Sequence, residues 1–429
     1  MNRRLQFFVV TSSTSVLGLL LAGSFFSSSR AANDAYRQFA VYTDVLQKIK
    51  SEYVEEPDIK SVTLGALTGL LEALDPYASY LNADQYKQYL QSQESRKAGV
   101  GLVLARRYGY VGIVDAIPGS PAAKAGLSTG DLIESIRGIA TRDMPLAFAD
   151  MLLHGDPGSA VELSVLRVRR GAEPQKLTLT REAIRFPEVA WRTLAGDTGY
   201  LQAASLDAGK VQDVARRLRE LESRGARRLI LDLRDCAVGA PEDGIALANL
   251  FLEKGLIVYL EGQKVERRNF EADPSKVMSR LPLVVLTNRG TAGGAEVAAA
   301  ALLDNKRAEV VGERTWGDAA LRRAVTLEDG SAVILSIAKY YSPLGKAIQD
   351  HAVTPSVPVV EAEALTETDD ENLAPPAPKP EDDVLLKKAI EVLNFGAPRA
   401  ARNAQASEPG DRDRTKPEMP TPLILRPLR

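Results

Sequence analysis

The stretch "LTNRGTAGGAEVAAAALLDNK", Leu286 to Lys306, leads an apolar strand into a Gly-rich turn and out along an Ala-rich helix. Many hydrolases present a nucleophile on this layout, at the tip of a strand and the start of a helix. Here the turn, Gly290 to Ala295, contains no Ser or Cys, and its one hydroxyl is Thr291. Thr291 stands two residues from the tip of a tight turn, where its side chain should point elsewhere. Cys236 and His351 could form a thiol–imidazole pair. A lone thiol after an apolar strand is, however, more often an inert small residue. Lys306 and Lys339 carry amines but have no nucleophile to activate. His154 closes a helix, where a cation suits the helix dipole, and this gives it a structural role. The chain builds a nucleophile's seat and leaves it empty.

Composition narrows the classes of function. A net charge of −2 over 429 residues gives no basic field, which argues against nucleic acid as a partner. One cysteine excludes an internal disulfide, and two histidines argue against a His-rich metal site. No motif calls for a cofactor. At the N-terminus, "MNRR" precedes an uncharged stretch, Phe7 to Phe26, that ends before Arg30. Twenty helical residues span about 30 Å, close to a bilayer core. Residues 1–30 are therefore a signal peptide or a membrane anchor. Ser24 stands where a lipidated cysteine would be needed, so lipidation is rejected. In either case Arg3 and Arg4 hold the short tail inside and the body is exported, periplasmic or otherwise extracytoplasmic.

The elements that must carry the turn fall into blocks. Residues 34–95 have helical periodicity, in "YTDVLQKIKSEYV" and "SVTLGALTGLLEAL", until "DPYASYL" breaks it. Residues 96–183 read as short strands, "GVGLVLA", "YVGIVDAI", "DLIESIRG", "AVELSVLR" and "QKLTLTR", with one helical run, "MPLAFADMLLHG". Residues 184–360 alternate near-continuous apolar strands with helices, the pattern of a sheet covered on both faces. Residues 361–429 form a Pro- and charge-rich tail, interrupted by a short helix expected over 382–394.

The segment "AGVGLVL", followed by "IPGSPAAKAGLSTGDLIESIRG" and a helix, resembles a PDZ domain. The resemblance implies that Gly99, Val100, Gly101 and Leu102 offer free backbone N–H groups to a peptide's terminal carboxylate. The peptide then lies as an added strand, and Phe148, Met151 and Leu152 line a pocket for an apolar last side chain.

The blocks taken together resemble the C-terminal processing peptidases, or tail-specific proteases. The motifs are "LDLRD", "VVLTNRGTAGGAEVAAAALLDNKRAEVVGERTWG" and "DGSAVILSIAKYYSPLGKAIQDHAVTPSVPV", and the likeness runs from about Tyr42 to Val360. It implies an α/β fold: a helical N-terminal segment, then a β-rich PDZ domain inserted before a mixed α/β, ClpP- or crotonase-like protease core. It also implies a Ser–Lys dyad assisted by Gln, in which burial lowers the lysine's pKa so that it can act as base. Aligned on Glu296, the nucleophile's position is Gly293, the base's is Asp318 and the glutamine's is Arg322. The oxyanion-like positions are Gly239, in the altered loop "CAVGA", and Gly294.

The resemblance therefore points to an exported, non-catalytic relative. Such a protein binds apolar polypeptide C-termini through its PDZ domain as an adaptor or regulator, with an active protease relative as a further candidate partner. The alternative is an active serine-type endopeptidase with an unusual catalytic set. Asp318 and Arg322, four residues apart, are expected to pair and fill the old site.

Overall fold

The computed structural model describes residues 37–95 apart from 38, 97–167 apart from 143, 173–360 apart from 208, and 383–395. Residues 1–30, expected to be a signal peptide or membrane anchor, and most of the charged tail lie outside the described residues. The described residues fall into two compact units that divide between residues 69 and 70. In the first, residues 39–52 are helical and a second helix, Ile59–Leu74, begins. No helix among the described residues is long and apolar enough to cross a membrane.

The second unit holds three sheets. One is six-stranded, in the order Val357–Pro358, Ala308–Gly312, Leu283–Thr287, Arg228–Asp232, Thr198–Gln202 and Ala190–Leu194. All neighbours pair in parallel except the last, which forms an antiparallel edge. Side chains alternate between the faces of a strand, and both faces are used here. Leu229, Leu231, Leu283 and Val285 bury against helices Lys210–Ser223, Pro241–Asn249 and Gly294–Asp304. Ile230, Val284, Leu286 and Val311 bury against the C-terminal helix Val384–Phe395, through Leu385, Leu386, Ala389 and Val392. The apolar runs of the sequence are thus strands covered twice, as expected. The tail's short helix sits two residues later than expected at its start and forms part of the core.

The second sheet sets Ala332–Tyr341 against Ser79–Leu81, Leu256–Gly262 and Ala320–Thr326, with Val265–Glu271 beyond. Ser79–Leu81 comes from the break at "DPYASYL", so this break in a helical pattern is itself a strand. The third sheet is the β-rich block: Leu102–Arg107, Tyr110–Ala116, Leu132–Ile136, Ala160–Leu166 and Gln175–Thr180, with the short Ile139–Ala140 alongside. Helix Leu146–Leu153 packs on it through Leu146, Ala149 and Leu153.

Candidate functional site

The Gly-rich turn keeps the backbone of a nucleophile elbow. Gly293 has φ 62° and ψ −123°, which a side chain adopts only under strain. It directly precedes helix Gly294–Asp304, as a nucleophile would. The turn is braced from both sides. Thr291, fully buried, donates its hydroxyl to the Leu233 carbonyl at 2.8 Å and accepts from Asn288 N–H at 3.0 Å. Ala292 N–H reaches the Cys236 carbonyl at 3.0 Å, and Trp316 N–H reaches the Thr291 carbonyl at 2.9 Å. Thr291 is therefore committed to holding the turn, as its position in the sequence suggested.

Glu296 is the hub of the site. Its carboxylate is wholly buried and accepts N–H groups from Gly293 at 3.0 Å, Gly317 at 2.7 Å and Asp318 at 2.7 Å, and the hydroxyl of Thr315. Burial pushes its carboxyl up to about 7, and the backbone and hydroxyl donors pull against that rise. One side chain thus ties the turn to the segment Thr315–Asp318, which leads into the strand that carries Arg322.

The groups expected around the nucleophile's position are displaced by structural contacts. Gly294 N–H donates to the Gly239 carbonyl at 3.3 Å, so neither its hydrogen nor that oxygen faces a substrate freely. A Cβ at Gly293 would lie 3.3 Å from the backbone carbonyl oxygen of Gly239 and 3.7 Å from that of Asp318. Arg322 donates to the Asp318 carboxylate, and its guanidinium lies over the buried Tyr77 ring, 3.9 Å from the centroid. In a regular strand, residues four apart are separated by about 13 Å. Here Asp318 precedes strand Ala320–Thr326, whose register is broken between Leu321 and Arg322, and the two side chains meet. Tyr77, from the break in the helical block, could not be foreseen as part of the site.

Cys236 and His351 are not brought together. Cys236 is fully buried, and burial beside Asp115, Asp232 and Asp235 pushes its thiol far up, away from the thiolate that nucleophilic attack needs. The His351 ring turns to the Ala347 carbonyl at 3.2 Å. Lys339 is held by Asp350 at 2.6 Å. Among the described residues, no group of three or more His, Cys, Asp or Glu could hold a metal.

The β-rich domain packs directly over this turn. Ala292 belongs to its buried core, with Trp316 and Ala237 packed against it. The Arg107 guanidinium stands 5.6 Å from the centre of the Trp316 ring. A Cβ on Gly290 would be 3.2 Å from the Thr129 hydroxyl. Asp115, on strand Tyr110–Ala116, is 4% exposed with one carboxylate oxygen lacking a partner. Its burial, with the charge of Asp235 nearby, pushes its carboxyl up to about 8.

The residues expected to bind a peptide lie on strand Leu102–Arg107 and helix Leu146–Leu153 and on the loop before that strand. With Leu146, Ala149 and Leu153 turned inward, Phe148, Met151 and Leu152 are left half-buried, as is Leu102. The carboxylate loop needs one correction. Gly99 N–H is not free, because it donates to the Glu182 carbonyl at 2.9 Å, and Glu182 N–H returns the bond. The linker after the last strand of the β-rich sheet doubles back here as a neighbouring strand, which the sequence alone did not reveal. Val100 and Gly101 N–H have no acceptor among the described residues. Gly101 has φ 78°, and a Cβ there would lie 2.2 Å from the Ser120 Cβ, so only glycine permits this loop.

Comparison with known proteins follows the same division. A model described as Peptidase family S41 matches residues 197–359, and a PDZ domain model matches residues 112–167. The chain is 32% identical over 365 residues to the carboxyl-terminal-processing protease of Synechocystis sp., covering 83% of each. It is 30% identical over 364 residues to the carboxy-terminal processing protease CtpA of Bacillus subtilis, covering 83% of this chain and 78% of that protein. Among solved structures, the photosystem II D1 C-terminal processing protease superposes with a TM-score of 0.62 at 27% identity, over 75% of this chain and 92% of that one.

Proposed function

Because this chain belongs to the C-terminal processing peptidases, we propose that it is a non-catalytic member of that family, an adaptor or regulator that binds polypeptide C-termini. The observation that carries the reading is Gly293, a residue without a side chain at the tip of the turn, with the Gly239 carbonyl 3.3 Å from where a Cβ would stand. Covalent catalysis needs a nucleophile with a base in reach. The Asp318 carboxylate is instead engaged by Arg322, and Thr291 is consumed by the Leu233 carbonyl. The half-buried apolar groove beside Val100 and Gly101 supports a ligand with an apolar last residue and a free carboxylate. Export of the body, with residues 1–30 as signal or anchor, belongs to the same proposal.

The full-length chain should leave casein and peptides with apolar C-termini uncleaved, and should not react with fluorophosphonates. By calorimetry it should bind a peptide acid in preference to its C-terminal amide, with micromolar affinity, about −8 kcal/mol. Turnover that disappears in Thr291→Ala or Cys236→Ala would establish the rival reading, an active peptidase with an unusual catalytic set. Equal binding of acid and amide would remove the loop as the binding site.

A further inference from the structure

The carboxylate loop has lost one donor and gained an imidazole. Gly99 spends its N–H on Glu182, yet its Cα lies against the ring of His154. A Cβ at Gly99 would be 3.0 Å from His154 Cδ2 and 3.2 Å from Nε2. The other ring nitrogen is committed: Nδ1 lies 2.8 Å from the Asp150 carbonyl, to which it can only donate. The remaining carbonyls at this helix end are served by Arg181, which donates to Leu152 at 2.8 Å and Leu153 at 3.2 Å. His154 closes the helix with its backbone N–H, which donates to the Met151 carbonyl at 3.2 Å, and with Nδ1, which leaves Nε2 outside the capping contacts. Its Nε2 has no partner among the described residues, and its side chain is 28% exposed.

We propose that His154 reads the terminal carboxylate of the bound peptide, replacing the donor that Gly99 has given up. The inference rests on the peptide-binding reading above and adds a pH dependence to it. With Nδ1 protonated toward Asp150, the neutral ring presents a lone pair at Nε2, which repels a carboxylate. Protonation converts that lone pair into an N–H and adds a positive charge, so the imidazolium binds the carboxylate and the imidazole does not. Imidazoles change charge between about pH 5 and 8, whereas a peptide's carboxylate stays ionised throughout that range.

The charged groups around the ring come from three places. On its own helix, Asp150 Oδ1 is 3.7 Å from Nδ1. From the doubled-back linker come Arg181, turned to the helix carbonyls, and Glu182, paired with Lys124 at 3.5 Å. Lys97 and Asp156 flank the two chain segments that meet at the bridge between Ala98 and Gly155.

The test uses the full-length chain and an N-acetylated apolar hexapeptide without ionisable side chains, as its free acid and as its amide. Calorimetry at pH 7.5 and pH 5.5, at constant salt, should show the acid binding about tenfold tighter at the lower pH, while the amide stays unchanged. His154→Gln, checked for folding by circular dichroism, should keep a preference for the acid but change less than twofold between the two pH values. In the wild type, the His154 imidazole followed by NMR should titrate at higher pH when the acid is bound. An acid preference that is independent of pH, or a pH effect that survives in His154→Gln, overturns the role of His154 and leaves peptide binding standing. Equal or absent binding of acid and amide at both pH values overturns the peptide-binding reading and this inference together.

Discussion

Gly294 donates its N–H to the carbonyl oxygen of Gly239 at 3.3 Å, so two backbone groups beside Gly293 satisfy each other. An oxyanion hole works the opposite way, with N–H donors left open toward developing negative charge. Restoring side chains alone should therefore not restore chemistry. Gly293→Ser, and the combined Gly293→Ser, Asp318→Lys and Arg322→Gln, should remain unlabelled by a fluorophosphonate probe. Gly293→Ser should also lose about 1–3 kcal/mol of stability in denaturant melts, because its backbone conformation is strained for any side chain. Rapid labelling of the triple variant would mean that the loop over 236–240 reopens readily.

A double-mutant cycle tests the Asp318–Arg322 pair. Both side chains are about three-quarters buried, at 22% and 28% exposure, so the pair lies between the surface and interior regimes. Denaturant melts should give a coupling energy of about 1–2 kcal/mol. Arg322→Ala should cost more than Asp318→Ala, because Arg322 also covers the Tyr77 ring. Equal costs with no coupling would show that the two side chains do not meet in solution.

How much of this was legible depends on the range of each interaction. Strand and helix identities around Gly293 follow from local periodicity, and the positions of Asp318 and Arg322 follow from counting along the chain from Glu296. The functions of Glu296 and Tyr77 do not. Glu296 could be seen as a reference point in the motif, but its donors lie 19 to 22 residues away except for Gly293. Tyr77 reaches Arg322 across more than two hundred positions of sequence, from a segment that reads only as a helix breaker. The bond between Gly99 and Glu182 escaped for the same reason: the linker's return strand has no signature of its own, and only the folded chain sets it beside the loop.

The C-terminal helix should depend on a buried ion-pair bridge. Arg234 donates to Asp232, which is fully buried, at 2.6 Å, and to Asp383 at 2.7 Å. Asp383 also accepts from Leu386 N–H at 2.9 Å at the start of helix Val384–Phe395, as an N-cap residue does. Asp383→Ala leaves Arg234 half-paired and removes the cap, and should cost about 3–5 kcal/mol. Hydrogen exchange should rise sharply over 384–395 and little over 294–304. Unchanged protection of the helix would show that its apolar face through Leu385 and Leu386 suffices to hold it.

The pH dependence of stability should carry the mark of Asp115. Its carboxyl is pushed up to about 8 by burial and by Asp235, while in the unfolded chain it titrates near 3.8. Between these values the folded state holds a proton that the unfolded state has released. The sign follows directly: this group's favourable contribution is complete below about pH 4 and is lost as pH rises to about 8. The slope has an upper limit of about 1.4 kcal/mol per pH unit. Urea melts of the full-length chain at pH 6, 7, 8 and 9 should show stability falling up to about pH 8 and then levelling. Asp115→Asn keeps the shape, removes the titrating proton and should flatten that fall, making the variant the more stable protein at pH 8. Because Asp115 lies where the PDZ domain packs over the Gly290–Ala295 turn, the same variant should reduce hydrogen exchange over 288–293 at alkaline pH. A wild-type fall retained in full by Asp115→Asn would assign the titration to another group, with Glu296 the next to test.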